Sequence, residues 1–424
     1  MNPLDPVVLA QRQLTLDRKK TARYAGLFER KVARMSASPL AFLRGAAPLF
    51  YEILEARPEL AKGASGEGWL TGDLHLENFG AYRPAPMAKA ADKADKADKK
   101  GAASEDDGVA TFNLNDFDDA IIGPLRFDVL RLTTSLILGG RELGADGKTA
   151  LDLSELLVTS YSDHLGGRTA DAASASPQSR SPALPVPRPV KTLIEQVSGR
   201  TRLELLAART TVHKGERRFV RGDRYRDLPD DVRAMVPTSF AAYAAAQGPG
   251  DRPDDSSLRI VDAAMRIAGT GSLGGLRIAV LVAGKGGVDG GWVFDMKEQG
   301  EPSASLLLGA TKMDPAVRVV TALRACLERP PRRIGTARLG KTSMFVRRLA
   351  PQEDKLDLTG MHHDELKPLA IYLGALVGAA HRRGATKPVK AWTASEKDEL
   401  VTHAIALAGV HEATYLALCK LTRS

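Results

Sequence analysis

The order of two short motifs restricts this chain more than any bulk property does. Residues 71–80 read TGDLHLENFG, and residues 269–274 read GTGSLG, roughly two hundred positions later. An Asp followed five positions on by Asn, here Asp73 and Asn78, can orient or deprotonate an acceptor and offer an oxygen to Mg²⁺ from one tight loop. In kinase-like enzymes a glycine-rich nucleotide lobe precedes such a loop. Here only some seventy residues come before it. Residues 8–57 read as two or three helices, with apolar residues at helical spacing and a break near Ser36-Ala37-Ser38-Pro39. The competing reading is a plain turn in which Asp73 and Asn78 bond their own backbone after Gly72.

A second motif, Asn115-Asp116-Phe117-Asp118-Asp119, ends a strand-like TFNL and precedes a helix expected to run to about Leu138. Clustered carboxylates suit a divalent cation that prefers oxygen. Asp116 is the expected Mg²⁺ ligand bridging phosphates, with Asp118 or Asp119 helping. The alternative is a solvated acidic turn that caps the helix. The third motif is Gly269-Thr270-Gly271-Ser272-Leu273-Gly274. A dinucleotide-binding turn would be followed by a helix and, about twenty residues on, an acidic side chain. The chain instead continues with LRIAVLVAG, a glycine turn, and WVFDMKE. A glycine-rich hairpin followed by a strand ending in a lysine, here Lys297, is the arrangement in which the loop covers phosphates and the lysine contacts them. A plain hairpin with one exposed lysine is the alternative.

Net charge is +9, from 60 Lys and Arg against 51 Asp and Glu, which favours an anionic ligand. Aromatic residues make up 5% and do not interleave with basic runs, so a base-stacking surface for nucleic acid is not expected. Two distant cysteines, Cys326 and Cys419, propose neither a disulfide framework nor a cysteine metal site. The apolar stretches, such as Leu366–Ala380, are interrupted and too short for a membrane span, and MNPLDPVVLAQRQ lacks a signal-peptide pattern. A cytoplasmic location is the expectation.

Pattern divides the chain into 1–165, holding the loop and the acidic segment, with a low-complexity Ala/Asp/Lys insert at 83–108. A Ser/Pro-rich linker comes next at 166–190, then a mostly helical region at 191–260, a strand-rich region at 261–350 and helices at 351–424.

Together the GDxHxxNFG-type loop, the NDFD segment, the GTGSLG turn and the lysine-ended strand resemble the bacterial DUF2252 family. The likeness runs from ARMSASPLAFLRGAA at 33–47 to ALVGAAHRRG at 375–384. The family is grouped with the protein-kinase-like superfamily, near aminoglycoside and choline phosphotransferases. The resemblance implies an α+β, two-lobed, kinase-like fold, and the motif order implies a circular permutation. Read from Gly269, the chain gives the turn, Lys297, a helix at 315–327, a strand at 344–349 and a helix at 366–384. The items that come next in a kinase, Asp73 and Asp116, lie at the start of the chain.

The expected activity is ATP- and Mg²⁺-dependent phosphoryl transfer to a small-molecule hydroxyl. Asp73 would orient the acceptor, Asn78, Asp116 and Asp118 would hold metal, and Lys297 would grip phosphates beneath Gly269, Thr270, Gly271, Ser272 and Gly274. Helices in 191–260 would shape the acceptor pocket. His75 is read as a loop residue where Thr71 replaces a superfamily His, and Arg44 or Arg347-Arg348 as possible phosphate contacts or structural residues. The helix at 315–327 has no Glu to pair with Lys297. That leaves open a non-catalytic nucleotide-binding module, and AMP transfer on the same fold is a further alternative.

Overall fold

The computed structural model describes residues 4–85, 110–167, 184–248, 258–358 and 360–423. Most of the Ala/Asp/Lys insert and residues 168–183 of the Ser/Pro linker therefore lie outside the described residues. The architecture is mixed helix and sheet, α+β.

Asp5 opens α1 (Pro6–Thr21), its carboxylate accepting from Val7 N at 2.9 Å and Val8 N at 3.1 Å. α2 (Leu27–Met35) comes next, and the break expected near Ser36–Pro39 is a new cap. Ser38 accepts from Ala41 N at 3.1 Å, with Pro39 first in α3 (Pro39–Gly45). α4 (Ala47–Ala56) and α5 (Pro58–Ala61) lead to β1 (Glu67–Leu70), loop 71–78 and β2 (Phe79–Tyr82). Beyond the insert lie β3 (Thr111–Leu114), segment 115–120 and β4 (Ile121–Pro124).

β1 pairs with β4 and β2 with β3, both antiparallel. One loop joins β1 to β2 and the other joins β3 to β4, so the pairing sets them side by side. α6 (Arg126–Glu142) is buried at every position from Arg126 to Gly140, and α7 (Gly147–Leu165) packs on it. A helix buried all round is the centre of its layer.

After α8 (Arg188–Ser198) and α9 (Arg202–Ala207) comes a hairpin of β5 (Thr210–His213) and β6 (Glu216–Phe219), then β7 (Tyr225–Arg226) and α10 (Asp230–Ala245). β8 (Ile260–Arg266), β9 (Arg277–Val282) and β10 (Trp292–Glu298) form a meander. α11 (Ser305–Leu308) and α12 (Pro315–Cys326) then cross to β11 (Ile334–Leu339) and β12 (Thr342–Arg348). The sheet is antiparallel, in the order β11-β12-β10-β9-β8-β7.

The six-stranded sheet draws one strand from before residue 260. β7 is the sixth strand, and α10 covers one face of the sheet, with Phe240 edge-on to Phe294 at 5.0 Å. The other face carries Val293, Asp295 and Lys297, because strand residues alternate. Leu206 and Phe219 pack there against Ala279, Leu281 and Val293. The apolar spacing that reads as helix across 191–260 includes three short strands: β5 and β6 pair with each other, and β7 joins the edge of the six-stranded sheet.

β13 (Asp354–Lys355) adds to β2, and α13 (His363–Gly384) lies against α7 so closely that a Cβ at Gly374 would overlap the Leu157 carbonyl oxygen. The end of α13 meets β1: Gly68 bridges Ala385, and Thr386 N donates to Glu67 O at 2.9 Å. α14 (Ala394–Leu421) is long and apolar enough to cross a membrane by length and composition. Here Leu400, Leu407 and Leu418 bury one face of it in the core, against α6 and α1.

Candidate functional site

Loop 71–78 is held by a charge it does not contain. The fully buried carboxylate of Asp128, on α6, accepts from Thr71 N at 2.6 Å, Thr71 Oγ1 at 3.0 Å and Gly72 N at 3.0 Å. His381 of α13 donates Nε2–H to the same group at 3.2 Å, while its Nδ1 faces the Tyr161 hydroxyl at 3.1 Å. Tyr51 donates its hydroxyl to Gly72 O at 2.5 Å. Gly72 has φ +80°, and a Cβ there would overlap the Asp119 carbonyl oxygen. Only glycine allows the two loops to meet so closely.

Asp73 emerges from this clamp onto the Arg131 guanidinium, which reaches it from one turn further along α6 (Nε to Oδ1, 2.9 Å) and also bonds Leu43 O at 2.8 Å. The Asp73 side chain keeps 21% exposure. Burial raises its carboxyl to about 7; Arg131 opposes the rise, and Asp119 and Asp116 add to it. A carboxyl poised there can accept a proton near neutrality.

Lys297 forms an ion pair with Asp118, whose other oxygen accepts from Gln299 Nε2 at 2.9 Å. Burial lowers the Lys297 ammonium, and Asp116 opposes that. Asp116 acts on both Asp73 and Lys297, and the Lys297–Asp118 pair ties the acidic segment to the sheet. Gly271 closes it from above: a Cβ there would lie 3.0 Å from Arg44 O and 3.8 Å from Asp73 Oδ2. The turn is pinned by the N-terminal helices. Lys20 Nζ donates to Gly271 O at 2.9 Å, Arg34 donates to Gly269 O, and Gly274 lies against the Lys20 backbone. Thr270 and Ser272 sit in the same turn, with Leu273 N donating to Thr270 O at 3.3 Å and Gly275 N to Ser272 O at 3.3 Å.

Other expected residues have different work. His75 and Asn78 cap their own loop: Glu77 N donates to His75 Nδ1 at 3.1 Å, and His75 N donates to Asn78 Oδ1 at 3.2 Å. Burial pushes the His75 imidazole well below its usual range, so it is neutral. Arg44 pairs with Glu77 at 2.5 Å. Arg348 lies over the Trp292 ring at 4.0 Å, on the sheet face away from Lys297. Glu298 accepts from Leu276 N at 2.6 Å and pairs with Arg23, so it braces the turn.

The expected ligand set Asn78, Asp116 and Asp118 is not assembled as a metal site. Asn78 Oδ1 is used by His75 and Asp118 by Lys297. Among the described residues no group of three His, Cys, Asp or Glu is placed to hold a metal.

Sequence reasoning missed the side chains that build the cleft. The helix searched for a Glu carries Arg318 instead, 1% exposed. Its Nη1 donates to Ala120 O, and its Nη2 to Asp118 O at 3.0 Å and Gly300 O at 2.9 Å. Lys297 takes its carboxylate from segment 115–120, which Arg318 fixes through the backbone. Asp119 is held by Ser303, through N at 2.9 Å. The available signal was an ionic residue within an apolar helix, as in FDVLRL and AVRVV. Such residues are buried only when paired.

The family model described as "Uncharacterized protein conserved in bacteria (DUF2252)" matches residues 23–87 and 100–421. The chain belongs to the DUF2252 family. The match takes in both loops, the glycine turn, the Lys297 strand and both helices that supply Asp128, Arg131 and Arg318. α1, which contributes Lys20 to the turn, precedes it. No curated protein matches, and no solved structure matches.

Proposed function

We propose that this DUF2252 protein is an ATP- and Mg²⁺-dependent phosphotransferase acting on a small-molecule hydroxyl. The observation that carries the reading is the meeting, beneath Gly271, of a carboxyl raised to about 7 (Asp73) with Asp116 and the Lys297–Asp118 pair. In this reading the acceptor oxygen attacks the γ-phosphorus, its proton passes to Asp73, and ADP leaves. Lys297 grips the phosphates and the glycine turn excludes water. The chain contributes chiefly positioning and charge.

For the metal, no three carboxylates already stand as a ligand set among the described residues. The donor set is oxygen only: burial raises Asp73, and repulsion from Asp119 and Asp116 adds to the rise. That fits a hard dication. Asp116, which among the described residues accepts a long hydrogen bond from Asp118 N at 3.4 Å, would hold it. When bound, Mg²⁺ would supply neutralisation of phosphate charge.

The strand order supports a permuted kinase-like fold. β8-β9-β10 form a meander with the glycine turn between the first two strands and Lys297 on the third. α12 comes after it, and β12 then pairs with β10. α13 ends against β1, where an unpermuted chain would run directly into loop 71–78.

Asp73→Asn tests the activity. Purified protein with ATP, Mg²⁺ and pooled hydroxyl metabolites is expected to release ADP and form a phosphorylated product, and the variant to lose at least about a hundredfold in rate, the scale of general-base catalysis, while still binding ATP. ATP binding without any transfer by the wild type would overturn this reading in favour of a binding module. Arg318 in place of a helix carboxylate is the observation that favours that second reading.

A further inference from the structure

On the cleft face of the sheet, every direction from Lys297 toward β8, β9 and the preceding part of β10 meets charge. Across on β9 its register partner is Arg277, and two residues back on β10 is Asp295, whose partner on β12 is Arg347. Arg266, at the end of β8, reaches Asp295 Oδ2 at 2.8 Å. Arg277 holds both Asp295 oxygens, with Nε at 2.9 and 3.0 Å, and Arg347 Nε stands 3.8 Å away. Of the apolar side chains on this face, Ala279, Leu281 and Val293 are covered by Leu206 and Phe219, and Phe345, the register partner of Lys297 on β12, is itself buried in the main core.

Three guanidiniums thus share one fully enclosed carboxylate; Arg347 also pairs with Glu353 at 2.9 Å, and Arg277 feels Asp116 and Glu353 at longer range. Nε of Arg266 is buried with no hydrogen-bond acceptor. Burial pushes the Arg266 guanidinium down to about 10; Asp295 opposes this, and repulsion from Arg277 and Arg347 adds to it. Excess cation of this kind, with a donor left over, is relieved by an anion. A purine or pyrimidine needs a largely apolar slot, which this wall does not offer.

We propose that Arg266, Arg277 and Arg347 form a phosphate-group site continuous with Lys297, so that the ligand is recognised by its polyphosphate and not by its base. The proposal deepens the phosphotransferase reading and rests on it for the placing of phosphates at Lys297. It makes the ligand class a triphosphate of any nucleoside, or an inorganic polyphosphate.

Calorimetric titration of the whole chain with ATP, GTP and inorganic triphosphate tests it, beside Arg347→Gln and Arg277→Gln variants whose folding is checked by circular dichroism. Arg347 is the more exposed side chain, at 26%, and is the variant expected to stay folded. All three ligands are expected to bind within about threefold of one another, and R347Q to weaken inorganic triphosphate at least tenfold, or about 1.4 kcal/mol. The proposal is overturned if ATP binds and inorganic triphosphate binds a hundredfold more weakly, or if a folded R347Q leaves triphosphate affinity unchanged. Base-selective ATP binding with acceptor phosphorylation would remove this inference and keep the phosphotransferase. Triphosphate binding without transfer to any acceptor would do the reverse.

Discussion

Asp128→Asn isolates the group that holds the loop. The wild-type carboxylate faces only donors: Thr71 N, Thr71 Oγ1 and His381 Nε2 at Oδ2, and Gly72 N at Oδ1. An Asn amide must turn its NH₂ toward one side. The less costly choice places it at Oδ1, opposite the single Gly72 N–H. That removes one charge-assisted hydrogen bond, worth about 1.5–3 kcal/mol, and strands a buried donor at about 1–3 kcal/mol more. The remaining bonds lose the charge on their acceptor, so the expected destabilisation is about 3–5 kcal/mol, within the range for breaking a buried ionic network. Urea unfolding followed by far-ultraviolet circular dichroism at neutral pH measures it. If the loop is anchored as described, the midpoint falls by the corresponding amount. A loss below about 1 kcal/mol, the size of an ordinary net hydrogen bond, would refute the anchoring role.

The Asp73 carboxyl, raised to about 7 from 3.8, binds its proton more tightly in the folded chain than in the unfolded one. Its contribution to stability is therefore fully present below about pH 4 and lost as pH rises through 4 to 7, so the stability of wild type relative to D73N should decline across that window. Turnover, which needs the ionised form, should rise with an inflection near 7; a flat profile from about pH 5 to 9 would count against Asp73 as the base. Gly374→Ala pushes a methyl group into the Leu157 carbonyl at the α7–α13 contact and should cost about 1–3 kcal/mol in urea unfolding.

The segments of the candidate site were legible because they are short local patterns. The Asp73-to-Asn78 interval, the acidic run at 115–119 and the glycine turn ahead of Lys297 are all short-range patterns, and each occupies a loop or strand end in the structure. Less legible were partners set by tertiary approach. Asn78 reads as a metal ligand but spends its oxygen on a cap, and Asp118 reads as a helper but neutralises Lys297. The strands of 210–226 were lost within a helical reading because four-residue strands carry too little periodicity to register.

What the sequence determined by itself was family membership, the α+β class, and which short segments carry the acidic, glycine-rich and lysine side chains proposed as the site. Those come from side-chain chemistry and from intervals of a few residues, which the chain carries unfolded. Only the tertiary structure decided which charges meet. Asp128 clamps a loop 56 and 57 residues before it in the chain, and Arg318 pins Asp118 and Ala120 from about two hundred residues away. Three arginines on three different strands gather around Asp295. A charge can be buried only where its partner is, and that position is fixed by packing across the whole fold.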